Sequence, residues 1–280
     1  MTCEHQARAA ENVATPGPSR APKAEPEKLI LDIATTFVPP IAGKPGTVLH
    51  HALVIYYLAD AVICVRKINN PWIQRLERFQ GRFLTMWNFA MQAFYYTVCI
   101  LQDTLELKSS NHLQQMNHYI RKLNSYIFQA FVFPLSPAIS LVFWSIYLID
   151  RELVFPKILD QCFSVWLNHG LHTVSSVSVF TEMFITSNWY TISRRKAVWG
   201  ITASQVAYAI CFFSTYYFDG VWLYPIFITS TWPLRISLVL LIYVWTLVTY
   251  TFGEYLSTRI WGHEIQMLKA QETSKKNKQI

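Results

Sequence analysis

The sequence predicts an all-α protein, a polytopic membrane bundle of about six transmembrane helices, and three observations carry that expectation. Hydrophobic residues make up 52% of the 280 and charged residues only 15%, with a mean hydropathy of +0.21; water-soluble domains carry about 25% charged residues. The charges are also displaced toward the ends: about 12% of residues 47–261 are charged, too few to coat a soluble surface of that size. Apolar stretches recur at roughly the 20 residues that a helix needs to cross hydrocarbon, and none alternates with the two-residue period of a barrel strand.

Residues 1–28 are rich in Ala, Pro, Glu, Lys and Arg and lack a signal-peptide pattern, which reads as a disordered tail. Leu29 to Gly43 is apolar but only 15 residues long and is broken by Pro39 and Pro40, so it is expected at the membrane interface. The N-terminal tail is therefore expected to run to residue 46. Six candidate spans follow, over 47–65, 83–102, 123–149, 161–181, 197–218 and 236–253. The second carries no charge, the first is weakened by Asp60, and the third contains Pro134 and Pro137. The membrane domain is thus placed at 47–261, with a basic cytosolic tail over 262–280. No internal repeat is visible.

Six spans put both termini on one side. Lys269, Lys275, Lys276 and Lys278 after the last span, and Arg194, Arg195 and Lys196 before the fifth, make that side the cytosol. Arg66, Lys67, Arg75, Arg78 and Arg82 oppose it, because this arrangement places their loop outside. Lys276 and Lys278 are third and fifth from the last residue given, as in a cytosolic dilysine retrieval signal, which predicts residence in the endoplasmic reticulum.

A net charge of +7 and a pI near 9.1 suit anionic lipid headgroups better than nucleic acid, since the basic residues flank apolar runs. The five cysteines, Cys3, Cys64, Cys99, Cys162 and Cys211, are scattered and odd in number, and read as small core residues. No cofactor or metal is expected.

Ionisable groups inside a span are costly and so draw notice. His50 and His51 near the start of the first span are expected to touch headgroups, Asp60 to pair with Arg66 or Lys67, and Glu182 and Glu254, at the ends of their spans, to have packing or interface roles. The segment Trp166-Leu-Asn-His-Gly-Leu-His-Thr173 differs, because His169 and His172 are three apart, on one helical face, well inside the fourth span. That face should point into the bundle. Asn168, Thr173, Ser175, Ser176 and Ser178 add polarity there, the hydroxyls reading as interhelical hydrogen bonds. Two chemistries remain open for the histidines: a metal or haem site, for which no deep carboxylate or thiolate stands at ligand spacing, and general base catalysis on a hydroxyl. Thr85 opens the second span in the same leaflet as the start of the fourth, but about 10–15 Å shallower than His172.

The block Phe143-Trp-Ser-Ile-Tyr-Leu-Ile-Asp-Arg-Glu-Leu-Val-Phe-Pro156, followed by Trp166–Thr173, with Phe83-Leu-Thr85, Gly220-Val-Trp-Leu-Tyr-Pro225 and Gly253-Glu254, closely resembles the androgen-induced gene family of membrane proteins. That family includes the androgen-dependent regulator of tissue factor pathway inhibitor, and the resemblance covers about residues 45–262. It implies an intramembrane threonine hydrolase that cleaves fatty acid esters of hydroxy fatty acids, drawing its lipid ester substrate from the bilayer. By motif the nucleophile falls on Thr85 and the histidine on His172, with His169 matching a second family histidine. Asn88 stands where an acidic residue is expected. Asn168, Arg151 and backbone N–H groups are candidates to orient substrate or receive the oxyanion. The competing reading is a non-catalytic lipid or proton-coupled transporter with intramembrane histidines.

Overall fold

A computed structural model describes residues 45–66, 78–107, 111–161, 163–186 and 193–277, and among these no strand occurs. The expected N-terminal tail and interfacial segment, Lys67 and Arg75 of the first loop, and Lys278 lie outside them.

Helix α1 spans Pro45–Arg66 and α2 spans Leu84–Leu107. Helix α3 (Asn111–Ile127) continues through a π turn at Phe128–Val132 into α4 (Phe133–Asp150). Pro134 and Pro137 account for that irregularity, because each lacks the N–H that would close the regular ladder. Short 3₁₀ turns at Arg151–Leu153 and Lys157–Gln161 lead to α5 (Val165–His169), whose first turn is capped by the Ser164 hydroxyl accepting from the Leu167 N–H at 3.2 Å. A second π turn, Gly170–Val174, joins α5 to α6 (Ser175–Ile185). Helix α7 (Arg194–Asp219) ends at Gly220, whose positive φ of 66° lets its N–H close onto Tyr216. The four-residue α8 (Ile226–Thr229) precedes α9 (Trp232–Asn277).

The six expected spans coincide with six helical runs, although the fourth begins at Val165 rather than 161. Three segments, Met116–Leu153, Arg194–Asp219 and Trp232–Met267, are long and apolar enough to cross a membrane. The remaining runs carry polar side chains that lower their mean hydropathy, and many of these face the interior. Gln92 of α2 is fully buried and donates to the Ser136 hydroxyl at 2.8 Å, while Ser136 donates to Asn88 Oδ1 at 2.8 Å. Ser178 of α6 donates to Gln92 Oε1, and Ser176 donates to the Ser136 carbonyl. Ser176 and Ser178 of the fourth span therefore bind helix to helix, as their composition suggested, whereas the buried Ser175 hydroxyl has no hydrogen-bond partner among the described residues.

Close approach is set by glycine. The α-hydrogen side of Gly253 in α9 lies against the buried Phe133 ring, and that of Gly200 in α7 against Tyr126 and Ala130, leaving no room for a methyl group at either position. The end of α6 and the start of α7 both meet the middle of α9: the Trp261 indole N–H donates to the Met183 carbonyl at 2.8 Å, and Arg194 faces Glu254.

Candidate active site

The first turn of α2 holds Thr85, and the residues around it explain its placement. Arg82, in the 3₁₀ turn Gln80–Arg82, pairs with Asp219 and donates to Thr215, tying this entry to the end of α7. The Leu84 N–H, one of the donors that a helix start leaves without an internal acceptor, donates to the Tyr224 hydroxyl at 3.2 Å. Tyr224 in turn lies 3.1 Å from the Tyr208 hydroxyl. The segment Gly220–Pro225 thus braces the helix that bears Thr85. The Met86 N–H turns back to the Phe83 carbonyl at 3.0 Å. Among the described residues no backbone carbonyl accepts from the Thr85 N–H, which stands at the positive end of the α2 dipole.

His172 sits within the π turn joining α5 and α6. Its ring stacks face to face on Phe143, with centroids 3.5 Å apart and planes 4° from parallel, and its backbone carbonyl accepts from the Ser140 hydroxyl. Imidazole orientation is therefore fixed by stacking on one side and backbone anchoring on the other. Nδ1 is buried with no hydrogen-bond partner within the bundle.

Thr85 and His172 line the same two apolar cavities. One runs between α2, α4, α7 and α9 past Tyr208, Phe212 and Leu238. The other, the larger, runs past Val154, Phe155 and Leu159 of the strap after α4 and past Trp222 and Leu223. The cavities share Thr85, Phe143, Val154, His172 and Tyr224, so the hydroxyl and the imidazole stand where the two lobes meet. The depth mismatch expected between them is reduced because the fourth helix starts four residues later than its hydropathy indicated.

The other sequence candidates lie elsewhere. His169 is exposed: it stacks on Trp144 at 4.8 Å and its Nδ1 lies 3.2 Å from the Thr173 hydroxyl. The expectation that both histidines share an inward face is corrected by the π turn between them, which adds a residue to the local turn and rotates the two rings apart. Asn168 is buried but lines neither cavity. Arg151 donates to Asp160 and to the Phe155 carbonyl and stacks over Tyr147, so it holds the strap that walls the larger cavity without reaching into it. Asn88 is fully buried and engaged by Ser136.

Sequence reading did not unite a second set of groups. His51 is 3% exposed rather than at headgroup level, and of the packing and interface roles expected for Glu182 its full burial selects packing; His51 Nε2 lies 3.0 Å from Glu182 Oε2. Asp103 faces the same imidazole. Their common signal was weak, since each sits near the end of its own span and only the packing of three helices unites them.

Comparisons with known proteins cover most of the chain. The family model described as FAR-17a/AIG1-like protein matches residues 46–258. The chain is 28% identical to the human androgen-induced gene 1 protein over 240 residues, 84% of this chain and 99% of that protein. It is 31% identical over 200 residues to the androgen-dependent TFPI-regulating protein of Mesocricetus auratus, covering 70% and 84%, and 28% identical over 223 residues to the human form, covering 78% and 95%. No solved structure matches.

Proposed function

Because the chain belongs to the FAR-17a/AIG1-like family, we propose that it is an intramembrane lipid hydrolase that cleaves fatty acid esters of hydroxy fatty acids, with Thr85 as nucleophile and His172 as general base. The observation that carries this reading is the junction of two apolar lobes at Thr85 and His172. In such an ester the acyl arm ends at the carbonyl carbon and the two halves of the hydroxy acid meet at the neighbouring carbinol carbon, and this space offers two apolar lobes for those arms with the reactive groups at their junction. His172 takes the Thr85 proton as Oγ1 attacks the carbonyl, and returns it to the departing alkoxide of the hydroxy fatty acid. Water, deprotonated by the same imidazole, then releases the fatty acid from the acyl-threonine. The first-turn N–H of Thr85 is the donor best placed to receive the oxyanion. Substrate enters from the bilayer, both termini face the cytosol across six spans, and the protein resides in the endoplasmic reticulum.

The test uses purified chain, a fluorophosphonate probe and a long-chain branched ester. Thr85→Ala should abolish labelling and hydrolysis, Thr85→Ser should retain part of both, and His172→Ala should slow hydrolysis by about 10²-fold or more. A folded Thr85→Ala variant hydrolysing at the normal rate overturns the threonine mechanism. A wild-type chain that binds such esters without cleaving them would instead favour the non-catalytic transporter reading.

A further inference from the structure

At the end of the bundle away from Thr85, side chains from three helices converge on one buried point. Along α2, Cys99 lies 14 residues beyond Thr85, about 21 Å at the helical rise. Cys99 and Asp103 are four apart on one face of α2; His51 comes from α1 and Glu182 from α6, and all four are buried. One donor atom from each of His51, Cys99 and Glu182 lies within 4.8 Å of the other two. His51 Nε2 is 3.0 Å from Glu182 Oε2, and its Nδ1 is 3.3 Å from Asp103 Oδ2. The Tyr95 hydroxyl donates to the second Glu182 oxygen at 2.8 Å.

We propose that His51, Cys99 and Glu182 form a binding site for a divalent cation of the zinc type. Imidazole nitrogen, thiolate sulfur and carboxylate oxygen are the donors that zinc accepts in tetrahedral sites, where donor atoms stand about 3.3–3.8 Å apart. The observed separations need only small adjustment to reach that spacing. Supporting groups are also in place: Asp103 Oδ2 stands 3.3 Å from Nδ1, where a small turn of the ring makes the hydrogen bond that orients zinc-bound histidines, and Tyr95 fixes the carboxylate. Binding releases the Cys99 thiol proton and the proton that His51 Nε2 shares with Glu182, so a dication replaces two protons among the thiolate and the Glu182 and Asp103 carboxylates and leaves the net charge of the buried site unchanged. His50 Nε2 lies 3.7 Å from Glu182 Oε2 but outside the three-donor cluster, which leaves the fourth position to water or to this imidazole after a side-chain movement. The site would clasp α1 to α2 and α6, apart from the ester chemistry.

The full-length chain, stripped with chelator in detergent, is titrated with Co²⁺ alone. One equivalent should produce tetrahedral visible bands and a thiolate-to-cobalt charge-transfer band, both displaced by Zn²⁺. Cys99→Ser should remove the charge-transfer band, and Thr85→Ala should leave it intact, which separates this site from the hydrolase reading. In the wild-type chain, where no variant must fold, Zn²⁺ should raise the unfolding temperature and slow maleimide alkylation of Cys99 by about tenfold or more, read by mass spectrometry. A wild-type chain showing no charge-transfer band and unchanged Cys99 alkylation overturns the proposal and leaves a metal-free cluster of histidine and carboxylates. A band that persists in folded Cys99→Ser overturns it equally.

Discussion

Gly170 opens the π turn that carries His172, and adding one methyl group there tests how that turn is held. A Cβ at Gly170 would collide with the Tyr57 hydroxyl of α1, while the next atom of that ring, Cζ, would lie 3.4 Å away, close to ordinary contact. Two effects of opposite sign follow. Overpacking of this kind costs typically about 1–3 kcal/mol, whereas replacing glycine by alanine inside a helix contributes about 0.5–1 kcal/mol of stability. Gly170→Ala should therefore destabilise the wild-type chain by roughly 0–2.5 kcal/mol net, with the middle of that range expected. Tyr57→Phe deletes only the offending oxygen, and that hydroxyl makes no hydrogen bond in the bundle. In the Tyr57→Phe background the same glycine substitution should be neutral or stabilising by up to about 1 kcal/mol, giving a coupling energy of about 1–3 kcal/mol. Reversible unfolding in mixed micelles of the four proteins measures that cycle directly. Equal effects of Gly170→Ala in both backgrounds would refute the contact between α1 and the π turn.

Gly253→Ala should destabilise by about 1–3 kcal/mol, because its Cβ would press on Phe133, whose ring is enclosed by Phe128 and Phe180; Phe133→Leu in the same chain should recover part of the loss on thermal unfolding. Protease treatment of sealed vesicles should remove tags from both termini together, and protection of a single terminus would rule out an even number of spans. Replacing Lys276 and Lys278 with Ser should send the protein to the cell surface, and unchanged reticular staining by microscopy would dismiss the retrieval signal.

Hydropathy located the helical runs because apolar side chains at spanning length leave the backbone few alternatives, and the motif Trp166–Thr173 pointed to His172. The facing of His169 was not legible: a spacing of three assumes a regular helix, and the π turn over Gly170–Val174 breaks that assumption. Arg151 lies next to the motif in sequence, but its partner Asp160 turns it toward the strap. His51 looked interfacial, and Glu182 open between packing and interface, because linear position measures distance from a span's end, whereas burial depends on which helices close over that end. The pairing of Thr85 with His172 in one cavity likewise depended on tertiary packing, including the later start of the fourth helix.

Tyr224 does two things at once: its ring walls both lobes, and its hydroxyl holds the Leu84 N–H one residue before Thr85. A lateral opening that swings the 220–231 segment outward must therefore break that bond and release the first turn of α2. Wall and helix start are thus one mechanical unit: under the proposed mechanism, whatever displaces this segment also displaces the nucleophile.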